Sequence, residues 1–413
     1  MTESTRAARA PMLTVLAALD HLLGAVRPVT DIESMATLSA NGRVLAAPQA
    51  ATINVPSADN TQMDGYAVRA ADCASGAAVL AVTQRIPAGH VGQPLAAGTA
   101  ARIFTGAMIP AGADAVVMQE QCDAADGMVT IQHTPQAGEW IRRVGEDIHA
   151  GATILTAGTR LRAQELGLAA SVGLATLPVL RRVRVAVFFT GDELTMPGEA
   201  PGGQLAPGAI YNSNRFTLRA LLENLGCEIT DYGIVPDTLD ATRATLRCAA
   251  AGHDLIVTSG GVSVGEEDHI KPAVEAEGRL DMWQIAVKPG KPLAFGEVQD
   301  AFFLGLPGNP VSSFVTFLLF VRPFILRLQG VQGAVEPRAY AMRADFSWPK
   351  GDRRNEFLRA HINDAGGLDL FPNQGSGVLT STVWGDGLID NPPGQAIAPG
   401  DTVRFISFAD LQY

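Results

Sequence analysis

Asp254-Leu-Ile-Val-Thr-Ser-Gly-Gly-Val-Ser-Val-Gly265 decides the fold, because its character changes halfway along. Leu255-Ile-Val257 is a brief apolar run bounded by turn residues, which predicts a short strand in a sheet covered on both faces. From Thr258 the residues become small, and a backbone with few Cβ atoms lets its N–H groups approach an anion. Two more stiff loops follow before Ser313. Lys288-Pro-Gly-Lys-Pro292 sets two cations on a turn, and Gly305-Leu-Pro-Gly-Asn-Pro310 leads into an apolar helix. Any one loop fits an ordinary strand-to-helix turn. Three rigid loops carrying amides and lysines predict a phosphate or oxyanion site.

Working outward, Val183–Phe189 reads as a strand that runs into Thr190-Gly-Asp-Glu-Leu194. Residues 214–225 read as a helix, with Asn212 or Ser213 available as its N-cap. Residues 228–235 form a strand that ends at Pro236-Asp237, and residues 239–251 are again helical. Such alternation implies a parallel sheet with helices on both faces, whose ligands bind beyond the carboxyl ends of the strands. Towards the N-terminus, residues 1–11 read as a frayed tail. Met12, Val15, Leu16, Leu19, Leu22, Leu23 and Val26 recur at helical spacing, and Ala40–Leu45 is a turn leading into a strand. Residues 54–140 are rich in turns and short apolar runs, as in a small all-β domain. Residues 153–161 and 163–173 then read as a strand and a helix that resume what the N-terminal helix began. The all-β block is therefore an insertion, splitting a unit made of residues 12–53 and 141–180. The α/β unit spans 181–330, and strands resume over 331–413 as a barrel or sandwich. Val311–Leu328, interrupted by Arg322-Pro323, reads as a buried helix and not a membrane span.

The chain has 413 residues, 47% of them hydrophobic and 18% charged, which is a globular composition sufficient for several cores. A net charge of −11 and the lack of a basic run argue against nucleic acid as a partner. Lysines inside a glycine-rich loop of an acidic protein favour a small anionic ligand. Cys73, Cys122, Cys227 and Cys248 form no C-x-x-C pair. A reducing, cytoplasmic setting is expected, with no signal peptide and no membrane association.

Eight segments in register carry a resemblance. They are Gln62-Met-Asp-Gly-Tyr-Ala67, Phe104-Thr-Gly-Ala-Met-Ile-Pro110, Gly112-Ala-Asp-Ala-Val-Val-Met-Gln-Glu120, Gly145-Glu-Asp-Ile148, Thr190-Gly-Asp-Glu-Leu194, Thr258–Gly265, Lys288–Pro292 and Gly305–Pro310. Their order and spacing over residues 12–381 resemble the MoeA family of molybdopterin molybdenumtransferases, relatives of the gephyrin E domain and its plant counterpart. The resemblance implies a multidomain α/β plus β protein. It would have a doubly wound molybdopterin-binding α/β domain, an inserted β-domain, a segmented linker domain and a C-terminal β-barrel. It implies a homodimer whose sites lie between the α/β domain of one subunit and the inserted domain of the other. The implied reaction inserts molybdate into adenylylated molybdopterin, with Mg²⁺, and releases AMP. A molybdopterin adenylyltransferase is the implied source of substrate.

By the same resemblance the reacting groups are Asp64, Thr105, Glu193, Asp237, Asp268, Lys288 and Lys291, with Glu193, Asp237 and Asp268 holding the metal. Ser259, Gly260, Gly261, Ser263, Gly265, Pro307, Gly308, Asn309, Pro310, Arg359 and Ser376 would contact substrate. Read from position alone, Asp64 is a turn aspartate, Asp192 a turn or cap residue, and Asp147 a cap of the linker turn. Asp237 can cap the next helix or meet a ligand, and Asp268 stands with Glu266 and Glu267 where a helix dipole favours acids. Arg359 can be a solvated strand arginine. Two lysines held between prolines suit an oxyanion better than a plain surface. One departure stands out: many bacterial relatives carry a lysine just after the tryptophan, and here the residue is Gln284. Two rival functions are the adenylylation of molybdopterin, against which the large N-terminal block argues, and a gephyrin-like scaffold, for which no receptor-binding extension is present.

Overall fold

A computed structural model describes residues 12–262 and 269–411. Helix α1 (Val15–Ala25) is capped by Thr14, whose side chain accepts from Ala17 N at 3.1 Å, and it buries Ala18, Leu19 and Leu22. Strand β1 (Ile32–Ala36) follows. Ala40–Leu45 was expected to enter a strand, but Val44 and Leu45 make only isolated bridges, to Arg160 and Val179. The outer region holds β2 (Gly65–Val68), β3 (Ala78–Ile86), β4 (Thr99–Ile103), β5 (Ala115–Met118), β6 (Cys122–Ala125) and β7 (Met128–Ile131). They form one sheet in the order β5-β2-β4-β3-β7-β6. The chain enters and leaves this region side by side, since Asn60–Thr61 pairs antiparallel with Ile141–Arg142. Helix α2 (Ala163–Ser171) and β8 (Thr176–Leu180) then return, and β8 pairs antiparallel with β1. Strand Thr153–Leu155 is shorter than the sequence pattern predicts, because a left-handed Gly158 turns the chain.

The α/β region comprises β9 (Arg184–Thr190), α3 (Ser213–Asn224), β10 (Glu228–Val235), α4 (Leu239–Ala250), β11 (Leu255–Ser259), α5 (Ile270–Glu277), β12 (Gly278–Gln284), β13 (Pro292–Val298), β14 (Ala301–Leu306) and α6 (Pro310–Leu328). Sheet order is β10-β9-β11-β14-β13-β12. The first four strands are parallel, while β13 and β12 close the edge antiparallel. That hairpin edge was not legible from the sequence pattern. Alternation along β9 sorts its two faces: Val185, Val187 and Phe189 join α1, α3 and α6, whereas Ala186 and Phe188 join α4 and α5. The register sets Thr190 beside Val235, Phe189 beside Ser259 and Ser259 beside Leu306, so four carboxyl ends share one edge.

Helix α6 runs through Arg322-Pro323, which interrupts the apolar run, and is buried as the sequence predicts. A π-helical stretch at Phe317–Val321 precedes the proline and absorbs its missing N–H. The helix is 89% buried, so it serves as the core element against which both neighbouring sheets pack. The C-terminal sheet contains β15 (Tyr340–Arg343), β16 (Asn355–Ile362), β17 (Gly387–Asn391) and β18 (Thr402–Ser407), in the order β16-β17-β18-β15. Leu358, Ile389 and Phe405 build its own core, and Phe357, Leu388 and Ile406 face the α6 cluster. Its other edge is extended by Val287–Lys288 of the α/β region, parallel to Asn355–Glu356.

Arg181 ties the linker to the opposite end of the α/β sheet. Its guanidinium donates to both oxygens of Asp254 at 2.7 and 2.8 Å and to Asp31 at 2.7 Å, while Arg184 N donates to Asp254 at 2.8 Å. Burial pushes the Asp254 carboxyl up, but Arg181 and the Arg184 amide overcome it and hold the group below the usual carboxylate range. A depressed carboxylate contributes stability above its unfolded value of about 4 and loses it as pH falls through the lower folded value. In Arg181→Met only Arg184 still opposes burial, and the folded value rises. Acid unfolding followed by circular dichroism should therefore begin at higher pH in the variant, and an unchanged acid midpoint would show that the pair does not set it.

Candidate functional site

The carboxyl ends of β9, β10 and β11 open onto a cleft of about 970 Å³. Glu193 and Asp237 stand on its wall, each just past a strand end, and Ser259, Gly260 and Gly261 line its base. Asp237 is not the cap of α4: Thr238 takes that place, its hydroxyl accepting from Ala241 N at 3.3 Å. Gly191, at φ +145°, lets Glu193 fold back over it, since a Cβ there would lie 2.5 Å from Glu193 Oε2. Ser263, Gly265 and Asp268 lie outside the described residues. Among the described residues no three His, Cys, Asp or Glu side chains gather closely enough to hold a metal.

Three loops are welded together at the base. Ser259 Oγ donates to Pro307 O at 3.0 Å and accepts from Asn214 Nδ2 at 2.8 Å, while Asn214 Nδ2 also reaches Gly308 O at 2.8 Å. Ser259 is thus a fastening group with its hydroxyl already engaged. Pro307, Gly308, Asn309 and Pro310 carry the cleft wall into the N-terminus of α6. There Val311 N donates to Ser376 O at 3.0 Å, which fixes the C-terminal loop Gln374–Ser376 as the facing wall. Asn212 Nδ2 and Asn214 Oδ1 are buried, line the cleft and have no protein partner among the described residues, leaving one donor and one acceptor for a ligand.

The two lysines have different surroundings. Lys288 Nζ pairs with Glu356 at 3.1 Å and Asp352 at 3.3 Å, and Asp352 is also forked by Arg354 at 3.0 Å. Arg354 holds the Asp352 carboxyl far below its ordinary range, with burial opposing it and Lys288 helping. Lys291 lines the cleft and makes no such pair among the described residues. Gly290, at φ +103°, brings this turn against α6, where a Cβ would come within 2.6 Å of Thr316 Oγ1. Both lysines expected at the site line the cleft, but they are held differently: Lys288 is paired with Glu356 and Asp352.

Arg359 also differs from both readings made of it. It is fully buried, because β16 is covered on both faces, and it stands behind the cleft and not on its wall. Its guanidinium donates to Ser381 Oγ at 3.0 Å and to the carbonyls of Phe357 and Gly375 at 3.2 Å, which holds the Gln374–Ser376 loop. Burial pushes its pKa down to about 10. Gln374 reinforces the loop by exchanging two bonds with the Arg359 backbone, at 2.9 and 3.0 Å. Asp64 and Thr105 pair with each other: Thr105 N and Oγ1 donate to Asp64 Oδ1 at 2.8 and 2.7 Å, holding that carboxyl below its ordinary range. They lie on the outer sheet and do not line this cleft. Asn212, Asn214, Arg354 and Gln374 were missed as cleft residues. The asparagines read simply as helix starts, and the other two lie far away in sequence.

Removing Lys288 leaves the buried Glu356 short of a cation, whereas removing Lys291 strands no acid among the described residues. Lys288→Met should cost about 1–3 kcal/mol of stability in urea unfolding. Lys291→Met should stay within about 0.5 kcal/mol of the parent. Equal losses would contradict the division of roles.

Three family models cover most of the chain: the MoeA N-terminal region over residues 13–173, a probable molybdopterin binding domain over 186–327 and the MoeA C-terminal region over 341–408. The chain is 40% identical to the molybdopterin molybdenumtransferase of Haemophilus influenzae over 362 residues, covering 87% of this chain and 89% of that protein. The enzyme of the same name from a Nostoc species is 38% identical over 356 residues, 84% of this chain and 80% of that one. A solved MoeA protein from Pyrococcus horikoshii superposes with a TM-score of 0.83 at 27% identity, covering 96% of this chain and 100% of the other. With the glycine loop, the proline-held lysines and the C-terminal wall meeting at one cleft, these likenesses show that the chain belongs to the MoeA family of molybdopterin molybdenumtransferases.

Proposed function

We propose that the cleft receives adenylylated molybdopterin and molybdate and that the protein inserts the molybdate as AMP is released. The observation that carries this reading is a single cleft combining Lys291, which has no acidic partner among the described residues, with backbone-rich loops, the start of a long helix and two acids. The amides near Gly260, Gly261 and Gly308 and the positive end of α6 suit the phosphates of the substrate. Lys291 suits the molybdate oxyanion, and Asn212 and Asn214 offer their unused amide atoms to the pterin edge. Fixed groups of this kind act by positioning and by stabilising charge, so no covalent nucleophile on the protein is needed.

A divalent cation fits this wall. Glu193 and Asp237 are hard oxygen donors beside the phosphate-binding loops, and Mg²⁺ commonly takes one or two carboxylates plus phosphate oxygens and water. When bound, Mg²⁺ supplies neutralisation of the charge on the adenylate phosphates, with Asp268 as a proposed third acid. Lys288, on the same cleft, is already paired with Glu356 and Asp352.

The same reading gives the working unit as a homodimer. Asp64 and Thr105 form a prepared acidic corner that their own cleft does not use, and a second subunit would bring that corner to it. Adenylylation of molybdopterin by this chain would leave that corner without a role.

If each site draws Asp64 from one subunit and Lys291 from the other, a mixture of Asp64→Ala and Lys291→Ala subunits regains one intact site per heterodimer. AMP release should then recover to about one quarter of wild type after equal mixing and exchange. Sites built within one subunit predict no recovery, and that result would overturn the shared-site reading.

A further inference from the structure

A second cavity, of about 1000 Å³, shares no lining residue with the cleft. It lies where the turn before α2, the second half of α6, the chain from Val331 to Tyr340 and the end near Asp410 meet. Arg322 of α6 is 9% exposed and lines it. Its Nη1 and Nη2 donate to the carbonyls of Val335 and Asp410, both at 3.1 Å, while its Nε is buried and has no partner among the described residues. Arg160 lines the same cavity from the turn before α2. Its Nε is likewise buried without a partner, and its one hydrogen bond is a long one, from Nη2 to Asn224 O at 3.4 Å.

The rest of the lining does not balance these charges. Arg162 is satisfied by Glu165 at 2.7 Å, and Arg338 stands exposed at the rim. The acids present are Glu336, which accepts from Val335 N at 3.1 Å, and Asp410, and both are exposed. Neither Arg160 nor Arg322 forms an ion pair with any described carboxylate. Burial, with repulsion from Arg160, pushes Arg322 down to about 10, and burial also lowers Arg160. A buried and a half-buried guanidinium that repel each other, each with a buried Nε left without a partner among the described residues, make a costly arrangement unless an anion joins them. A guanidinium edge matches phosphate and carboxylate oxygens, and the cavity has the size of a small-ligand site.

We propose that this cavity is a second anion site, in which Arg160 and Arg322 together hold a small ligand bearing phosphate or carboxylate groups. The two arginines belong to segments on either side of a junction, and Arg322 already holds the carbonyls of Val335 and Asp410. A ligand across both would fasten the linker, α6 and the C-terminal strands to one another, with binding energy added to the stability of the assembled chain.

Pyrophosphate and citrate, as phosphate and carboxylate probes, are titrated by calorimetry into the wild type, Lys291→Met and Arg160→Gln. Arg160 is the variant of choice because Arg322 also carries two carbonyl bonds. The proposal expects saturable binding of at least one probe that survives in Lys291→Met and weakens about tenfold or more in Arg160→Gln. It also expects Arg160→Gln to melt no lower than wild type without anion, since a like-charge repulsion is removed, while losing the anion-dependent rise in Tm. Pyrophosphate binding without citrate binding assigns the site to phosphates, and the reverse assigns it to carboxylates. Undiminished binding in Arg160→Gln, loss of binding in Lys291→Met, or no saturable heat with either probe would overturn the proposal.

Discussion

Glu356 is fully buried, and a carboxylate removed from water requires a cation and further donors to remain there. Trp348 Nε1 and Asp352 N donate to it from its own sheet, at 2.9 and 3.1 Å, with Asn391 Nδ2 at 3.3 Å. The cation, Lys288, comes from the α/β region, on the segment that follows β12 and joins the edge of this sheet. Satisfying one carboxylate therefore fixes the C-terminal sheet against the α/β region. The parallel pairing of Val287–Lys288 with Asn355–Glu356 and the bond from Val311 N to Ser376 O complete the junction. Without that closure the glycine-rich loops would face open solvent instead of a cleft with two walls.

The closure also explains why neighbouring lysines on one stiff turn have unlike roles. Both line the cleft, but Lys288 is paired across the junction with Glu356 and Asp352, whereas Lys291, three residues later, has no acidic partner among the described residues. Arg359 acts from further back, spending its guanidinium on Ser381 and two carbonyls so that the Gln374–Ser376 wall stays in place. An anion entering the cleft thus meets Lys291, backbone amides and a helix start, with Lys288 and Arg354 already paired to acids. Such a site favours a ligand held by shape and directed donors over one held by bulk charge.

Much of this was legible in the sequence because its signals are local. The apolar run Leu255–Val257 and the small residues after it gave the strand and its loop, and alternating strands and helices brought Glu193, Asp237 and Ser259 to one edge. What stayed hidden depends on contacts between distant segments. The β12–β13 hairpin lacks a two-residue turn signature, since residues 285–291 cross to another sheet between its strands. The pairing of Lys288 with Glu356 spans 68 positions, and that of Asn214 with Gly308 spans 94. Arg359 looked solvated because a charged residue on a strand usually is; coverage of β16 on both faces reversed that. The continuity of α6 through Pro323 turned on a π-helical stretch that no composition rule reveals.

In the proposed complex the oxyanion meets Lys291, while Lys288, on the same cleft, stays paired with Glu356. A crystal structure of the protein with adenylylated molybdopterin and molybdate tests this most directly. The account predicts the pterin adenylate between the Gly260–Gly261 loop and the Gln374–Ser376 wall, the oxyanion within hydrogen-bond distance of Lys291 Nζ, and the Lys288–Glu356 pair intact. An oxyanion seated on Lys288, with Glu356 released from it, would contradict the account.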